Sequence, residues 1–441
     1  MGIHKKSLLL IGDIIVLYIA LAGTLLVRYR NIGLFKENWS LHIAPFSIIF
    51  ILWIIVFYWT DLYRYKAFRS REWLLKALSG GIILSAGLSI IFFYLFPTVF
   101  GVMPKTNLLI FSAVSFFLLY FWRMRIRTLF VKNAANTIVL GNTPLLSSTV
   151  QFLKENPQIG FNVTEWIQVV TKEALESLPT KITQTDSHLI VVQKNALTDP
   201  KTLSALYKLL PLETSVMTFS NFYEAVFEKE PIEELNESWF IEHITVRRPL
   251  YDMVKRTTDI VAAIMMIIIF ILPSIFIALF IKLSSSGKII YSQIRIGKNN
   301  IPFTLYKFRS MRADAEKDGA QWSKENDNRT TKIGKFLRYT HLDELPQTWN
   351  ILRGDISLVG PRPERPEFTK TLEKEIPFYN IRHIIRPGFT GHAQVNYRYG
   401  ASVEDSKEKL AYDIYYIKHR STITDNFIVL KTVKMIFVKL I

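Results

Sequence analysis

No cysteine occurs in the 441 residues, which excludes disulfides, thiolate catalysis and Cys-ligated metals. Histidine is also scarce. The eight present form no His-Glu-x-x-His or other metal-ligand spacing, which argues against a zinc enzyme. Acidic residues are in deficit, 37 against 54 Lys and Arg, for a net charge of +17. That balance suits an anionic membrane surface, phosphorylated substrates or nucleic acid. A mean hydropathy of +0.20, with 31 Phe, 19 Tyr and 9 Trp, favours the membrane over nucleic acid. The length exceeds one ordinary domain and predicts two or three units.

Charge is missing from long stretches of the first third. Apolar runs at roughly 7–27, 43–59, 77–96 and 107–122 each approach or reach the length that crosses ~30 Å of hydrocarbon. The first lacks a small-x-small cleavage site and is followed by further spans, so it reads as an anchor rather than a cleaved signal. Asp13 lies inside it, where an acidic residue sits near a helix end or faces the bundle interior. Lys5, Lys6, Arg64, Lys66, Arg69, Arg71, Arg123, Arg125 and Arg127 fall on one side of these spans; Arg28, Arg30, Lys36 and Lys105 fall on the other. The excess places the N-terminus and everything beyond residue 123 in the cytoplasm. Residues 1–130 are therefore expected to form a four-transmembrane-helix bundle.

A fifth apolar run, Ile260 to Ile281, carries Pro273 near its middle and basic residues on both flanks. Proline there removes a backbone hydrogen bond and predicts a kink. A spanning helix and a helix that enters and leaves on one face both fit. The symmetrical flanks favour a re-entrant helix at about 254–283, which keeps the C-terminal region inside.

Residues 131–245 alternate short apolar runs with helical patterns. Strands are predicted at Thr137–Leu140, Asn162–Val170, Leu189–Gln193 and Val216–Phe219, with helices at Leu145–Lys154, Lys172–Leu178 and Thr198–Leu210 between them. This order predicts a small parallel, Rossmann-like α/β sheet. The first strand-to-helix turn, Gly141-Asn-Thr143-Pro-Leu-Leu146, has only the first glycine of G-x-G-x-x-G. A structural or regulatory domain that binds no nucleotide is expected.

From Tyr291 the chain turns polar. Arg338-Tyr-Thr-His-Leu-Asp343-Glu344-Leu-Pro346 places adjacent carboxylates before a proline, and Gly360-Pro361-Arg362-Pro363-Glu364 clamps an arginine between prolines. Pro346 is tolerated in a helix's first turn, so the spacing predicts a helix beginning with Asp343 as its N-cap. An isolated Asp-Glu-Leu-Pro would be no more than such a cap. Here Arg338, Arg353, Arg362, Arg365, Arg382 and Arg386 lie within about fifty residues, and cations favour an ionised carboxylate. Asp343 could then attack phosphorus, with Glu344 as a Mg²⁺ ligand. Two prolines around Arg362 predict a pre-set guanidinium direction. Phe303-Thr-Leu-Tyr306-Lys307-Phe308-Arg309-Ser-Met311 reads either as an edge strand or surface helix with solvated cations, or as a segment with its cations on phosphates.

Residues from about 249 to 441 resemble the bacterial sugar transferase family, the monotopic polyprenyl-phosphate phosphoglycosyl transferases. The resemblance rests on Lys255-Arg-Thr-Thr-Asp259, Tyr306-Lys-Phe-Arg-Ser-Met311, Leu342-Asp-Glu-Leu-Pro-Gln347, Asn350 through Glu364, Arg386-Pro-Gly-Phe-Thr-Gly391, Ala393-Gln-Val-Asn396 and Asp413-Ile-Tyr-Tyr416. The long N-terminal part is similar to that of members that start exopolysaccharide or O-antigen assembly. The resemblance implies a C-terminal monotopic α/β catalytic domain, 246–441, on the cytoplasmic face of the bacterial inner membrane. Asp343 would attack the β-phosphorus of a UDP-sugar, releasing UMP, and undecaprenyl phosphate would take the phosphosugar from the aspartate. Asp343 and Glu344 would be catalytic and hold Mg²⁺. Arg338, Arg362, Lys307, Arg309, Pro361, Pro363, Arg386 and Asp413 would contact or steady phosphate. Pro273 would mark the kink of the re-entrant helix. Anionic lipid and a second copy of the chain are the further partners implied.

Departures touch details. Many members carry Ser-Pro at the kink, where this chain has Leu272-Pro273. The usual Thr-Gly-Trp is Thr390-Gly391-His392, and Asn396–Gly400 resembles a long-member variant. The rival classes are an inactive scaffold of polysaccharide assembly, opposed by the presence of Asp343 and Arg362, and a nicotinamide-dependent oxidoreductase, opposed by the missing glycines. The sugar is not named by the sequence.

Overall fold

A computed structural model describes residues 3–63, 70–97, 105–132, 134–284, 286–312, 315, 327–397 and 402–440. Its contacts divide the chain into two compact units, Met1–Val226 and Phe227–Ile441.

The first unit opens with four apolar helices: α1 (Ile3–Tyr29), α2 (Ile32–Trp59), α3 (Arg71–Leu95) and α4 (Lys105–Lys132). Each contains a segment long and apolar enough to cross a membrane. The chain is thus that of a membrane-associated protein. Helix α2 begins well before the expected run at 43, because the Asn31 side chain accepts from the N–H of Gly33 and Leu34 and caps it. Asp13 is fully buried and pairs with Arg123 of α4, whose guanidinium also donates to the Leu62 carbonyl. This is the paired, interior-facing arrangement that an intramembrane carboxylate requires. Arg64, Lys66 and Arg69, used above to orient the spans, lie outside the described residues.

The same unit contains the α/β sheet. Its elements are β1 (Ala135–Leu140), α5 (Pro144–Glu155), β2 (Phe161–Ile167), α6 (Lys172–Thr185), β3 (Leu189–Val192), α7 (Pro200–Tyr207), β4 (Ser215–Thr218) and α8 (Phe219–Phe227). All strands are parallel in the order β2-β1-β3-β4. Ile138, Leu140, Ile190 and Val192 pack on Leu178, Ile182, Leu206 and Leu209. After β1, Gly141 adopts φ +118°, and a Cβ there would strike the Gln193 carboxamide. Gln193 donates to Thr143 Oγ1 at 3.0 Å, and Trp166 Nε1 donates to the Gly141 carbonyl at 2.9 Å. Where a pyrophosphate would approach a dinucleotide fold, this turn carries a side chain of its own.

The second unit contains α9 (Glu237–His243), α10 (Pro249–Ser284), β5 (Ile290–Ile296), β6 (Pro302–Phe308), α11 (Lys332–Thr340), α12 (Gln347–Arg353), β7 (Ser357–Val359), α13 (Pro366–Glu375), β8 (Gly388–Thr390), α14 (His392–Asn396), α15 (Val403–His419) and α16 (Thr422–Leu440). Strands β5 and β6 pair antiparallel, whereas β7 and β8 pair parallel. Ile232, Leu235, Trp239 and Phe240 share a core with Leu372, Ile376, Tyr379, Leu410 and Ile414. Residues 227–245, read from sequence as the end of the middle domain, therefore belong to this unit.

Helix α10 runs for 36 residues with Pro273 inside it, so helical conformation carries on past the proline. Its length is about 54 Å at 1.5 Å per residue. Most of its middle is exposed and apolar, including Ile268, Leu272, Ile275 and Leu279. Its two ends dock on the same unit. Near the start, Arg256 donates to the carbonyls of Ile351 and Leu352 at 2.6 and 2.7 Å. Asp259 accepts from Ser357 Oγ at 3.0 Å and from the Leu358 N–H at 2.9 Å. Near the end, Ile277 and Ile281 pack with Phe308, Leu337 and Leu345.

Candidate active site

The carboxylates lie between two helices, in a single 3₁₀ turn, Leu342–Glu344. His341 ends α11 with φ +59°, and Pro346 stands at the N-cap of α12. Asp343 is therefore not the helix cap expected from the spacing: the helix starts at Gln347, four residues later. The cause is local, since a left-handed residue stops one helix and the proline, lacking an N–H, opens the next. Leu345, buried on Phe308 and Leu337, fixes the turn from below.

Strand β6 supplies the first cation. Its alternation puts Leu305 and Lys307 on one face. Asn350 locks the register: its amide donates to the Thr304 carbonyl at 2.7 Å while its oxygen accepts from the Tyr306 N–H at 3.2 Å. Lys307 Nζ then meets Glu344 Oε1 at 2.8 Å. The same oxygen accepts from Arg362 Nη2, also at 2.8 Å.

Arg362 is aimed by its backbone. Three successive carbonyls are each fixed by a donor: Pro361 by the Gly388 N–H at 2.8 Å, Arg362 by Arg382 Nη2 at 3.0 Å, and Pro363 by Arg295 Nη1 at 3.1 Å. Behind them Asp413, fully buried, pairs with Arg382 at 2.9 Å. The Arg362 side chain keeps 43% of its surface open, so its guanidinium can serve a second partner besides Glu344.

The two carboxylates, both buried, differ in how readily they take up a proton. Glu344 is held well below the usual carboxylate range by Arg362 and Lys307, which outweigh its burial. Asp343 is pushed up to about 6, first by burial and then by the charge of Glu344, against the pull of Lys307, Arg338 and Arg362. Its carboxylate makes no hydrogen bond or ion pair among the described residues, so both oxygens are available for a ligand. Burial lowers Lys307, opposed by Glu344. A cavity of about 10 Å³, room for one water, lies among Arg295, Leu305, Lys307, Gln347, Arg362 and Pro363.

Of the residues singled out by sequence, the structure brings Lys307, Glu344 and Arg362 into contact, with Asp343 adjacent in the turn and Arg338 within range of its charge. Pro361, Pro363 and Asp413 act on the Arg362 backbone, Asp413 through Arg382. Arg309 donates to the Ser286 carbonyl at 2.7 Å. Arg386 is exposed, and its main chain passes close to Gly360. Arg353 pairs with Asp355 and Arg365 with Glu367, away from the carboxylates.

Residues 250–439 match the model of the bacterial sugar transferase family. The chain is 38% identical over 187 residues to an exopolysaccharide production protein of Rhizobium leguminosarum, covering 41% of this chain and 94% of that one. The chain belongs to the bacterial sugar transferase family. It is 39% identical over 188 residues to the UDP-glucose:undecaprenyl-phosphate glucose-1-phosphate transferase of Caulobacter vibrioides, covering 42% of this chain and 70% of that protein. It is 46% identical over 188 residues to the UDP-N-acetylgalactosamine-undecaprenyl-phosphate N-acetylgalactosaminephosphotransferase of Aeromonas hydrophila, covering 43% and 44%. The match thus spans less than half of the Aeromonas protein's length.

Two residues of this sugar transferase unit were missed in the sequence. Arg295 comes from β5, and its Ile-Arg-Ile context reads as an ordinary strand face. Gln347 is buried, with its Nε2 unpartnered among the described residues and its side chain on the cavity. It was quoted only as part of a motif. Residues 398–400 of the variant stretch after Asn396 lie outside the described residues.

Proposed function

We propose that this sugar transferase moves a sugar 1-phosphate from a UDP-sugar to undecaprenyl phosphate through a covalent Asp343 intermediate. The observation that carries the reading is the unequal pair: an ionised Glu344 held by two cations beside an unpartnered Asp343. An Asp343 oxygen bonds to the β-phosphorus as the bond from that phosphorus to the bridging oxygen breaks, and UMP leaves. An oxygen of undecaprenyl phosphate then attacks the same phosphorus and frees the aspartate, giving a lipid diphosphate sugar. Arg362, through its open face, and Arg338 counter the phosphate charge. Lys307 and Glu344 hold Arg362 in place. The relatives' names include glucose and N-acetylgalactosamine forms, so those donors come first in a test.

Mg²⁺ fits Asp343 better than Glu344, because one Glu344 oxygen already accepts from two cations that would repel a metal. When bound, the ion would neutralise charge on the donor's diphosphate.

The contacts of α10 support a membrane placement. A polar unit that grips the helix at Arg256 and Asp259 and again at Ile277 and Ile281 would have to straddle the bilayer if the helix crossed it. We therefore read α10 as re-entrant, bending at Pro273, with its exposed apolar middle in lipid and the site on the cytoplasmic face of the inner membrane. The product would begin a surface or secreted polysaccharide, and the N-terminal modules would pair two copies of the chain.

The test is UMP release from a panel of UDP-sugars, with intact-mass measurement of the protein. Without lipid acceptor, wild type is expected to gain one sugar phosphate per chain with stoichiometric UMP. Asp343→Asn is expected to gain none. An adduct on that variant, or turnover without any adduct, refutes the reading.

A further inference from the structure

A second cationic cavity lies in the sugar transferase unit, away from the residues that line the Glu344 cavity. It measures about 350 Å³ and is lined by Arg248, Leu250, Tyr251, Arg420, Ser421 and Thr422. Two long helices begin at it, α10 at Pro249 and α16 at Thr422. The first-turn N–H groups of a helix have no intrahelical carbonyl to bind; Pro249 has none to offer and Ser421 Oγ already accepts from the Thr424 N–H at 3.2 Å, while both helix starts line the same cavity.

The arginines make only part of the bonds their geometry allows. Arg248 donates to the carbonyls of Arg420 and Lys418 at 2.6 and 2.8 Å. Arg420 donates from Nη2 to the carbonyls of Thr245 and Val246 at 3.0 and 2.6 Å. These bonds latch the start of α10 to the α15–α16 connection, which is a structural role. They leave work undone. Arg420 is 3% exposed, yet its Nε and Nη1 have no partner among the described residues. Neither arginine forms an ion pair with a carboxylate among the described residues. Nearby Asp425 is engaged by Lys255 at 2.7 Å and by the Tyr251 hydroxyl at 3.0 Å, while Asp252 accepts from the Arg248 N–H at 3.1 Å. An unpartnered buried guanidinium N–H is costly unless something satisfies it.

We propose that this cavity is a binding site for a phosphate oxyanion, held by Arg420 and Arg248 with the amino ends of α10 and α16. A phosphate offers the several acceptor oxygens that a guanidinium fork and two helix starts require. Its source is either a phospholipid headgroup or free phosphate. The exposed apolar side chains of Leu250, Met253 and Ile423 beside the rim are the kind of neighbours a lipid tail would find.

The full chain in neutral detergent tests this. Native mass spectrometry would count retained phosphatidylglycerol against phosphatidylcholine, and thermal unfolding would be followed with and without inorganic phosphate. Arg420→Gln removes the central cation. Ser421→Asp keeps an N-cap acceptor and both latch arginines while adding a negative charge in the cavity. Arg247→Gln, at an exposed neighbour, controls for loose charge attraction. Wild type and Arg247→Gln are expected to retain one phosphatidylglycerol or to be stabilised by phosphate. Arg420→Gln and Ser421→Asp are expected to bind at least tenfold more weakly. Retention of the lipid without a response to phosphate identifies a headgroup; a phosphate response alone identifies a free anion. Equal behaviour by all four proteins, or no binding by wild type, overturns the proposal and leaves the arginines as a latch.

Discussion

Arg382 donates from Nη2 to the main-chain carbonyl of Arg362 at 3.0 Å, and the same nitrogen meets buried Asp413 at 2.9 Å. A charge fixed deep in the unit thereby sets the direction of a residue at the surface of the site. Arg382→Lys keeps the charge but loses the planar fork that sets Nη2 between both partners while Nη1 reaches the Tyr379 hydroxyl. A stability loss of about 1–3 kcal/mol is expected from the orphaned carbonyl, with a fall in kcat/KM for UMP release. If Arg382 acts through Arg362, the double variant with Arg362→Ala will be no slower than Arg362→Ala alone. Strict additivity would contradict the relay.

The pH dependence of turnover reports on Asp343. Its carboxyl sits near 6, raised above the ordinary value, and attack requires the ionised form. Activity should therefore be full above that value and be lost as pH falls through it. In Glu344→Gln the like charge that helps raise Asp343 is gone, so the acid limb should move to lower pH even as maximal turnover drops. A limb that stays in place in a pH profile of kcat/KM would remove Glu344 as a cause.

Asp259 ties α10 to β7 through Ser357 and the Leu358 N–H. Asp259→Ala leaves the buried Ser357 hydroxyl and the half-buried Leu358 N–H without their acceptor, a cost of about 1–3 kcal/mol. Limited proteolysis should cut this variant faster around residues 355–360. Wild-type resistance would show that the other contacts of α10 suffice.

Gly388 stands where β8 presses on the Gly360–Pro363 segment, and a Cβ would come within 2.0 Å of the Gly360 nitrogen. Gly388→Ala should destabilise by about 1–3 kcal/mol and displace Arg362. Lower UMP release at unchanged membrane insertion is the expected readout. Near-normal turnover would mean the strand pair tolerates spreading.

Sequence patterns exposed the elements that local rules control. The parallel sheet at Thr137–Leu140, Leu189–Val192 and Val216–Thr218 was visible because short apolar runs alternate with helical periods. The apolar helices were visible from length alone. Tertiary choices were not. Ile232, Leu235, Trp239 and Phe240 are apolar wherever they pack, and only the folded chain places them on Tyr379 and Leu410. Asp343 stood out in the sequence but was misplaced as a helix cap, since nothing in His341 announces a left-handed conformation. Arg295 lies about fifty residues from the acidic pair, and only the hairpin of β5 and β6 brings it in.

Leu345, one residue beyond the acidic pair, rests on Ile277 and Ile281 at the far end of α10. The floor under the acidic turn is therefore made from the same helix that carries the exposed apolar middle. Stripping away the surrounding lipid, or wedging a detergent along that helix, would loosen the carboxylates before the sheets or other helices unravel. Extraction conditions would then govern specific activity independently of how much folded protein is recovered.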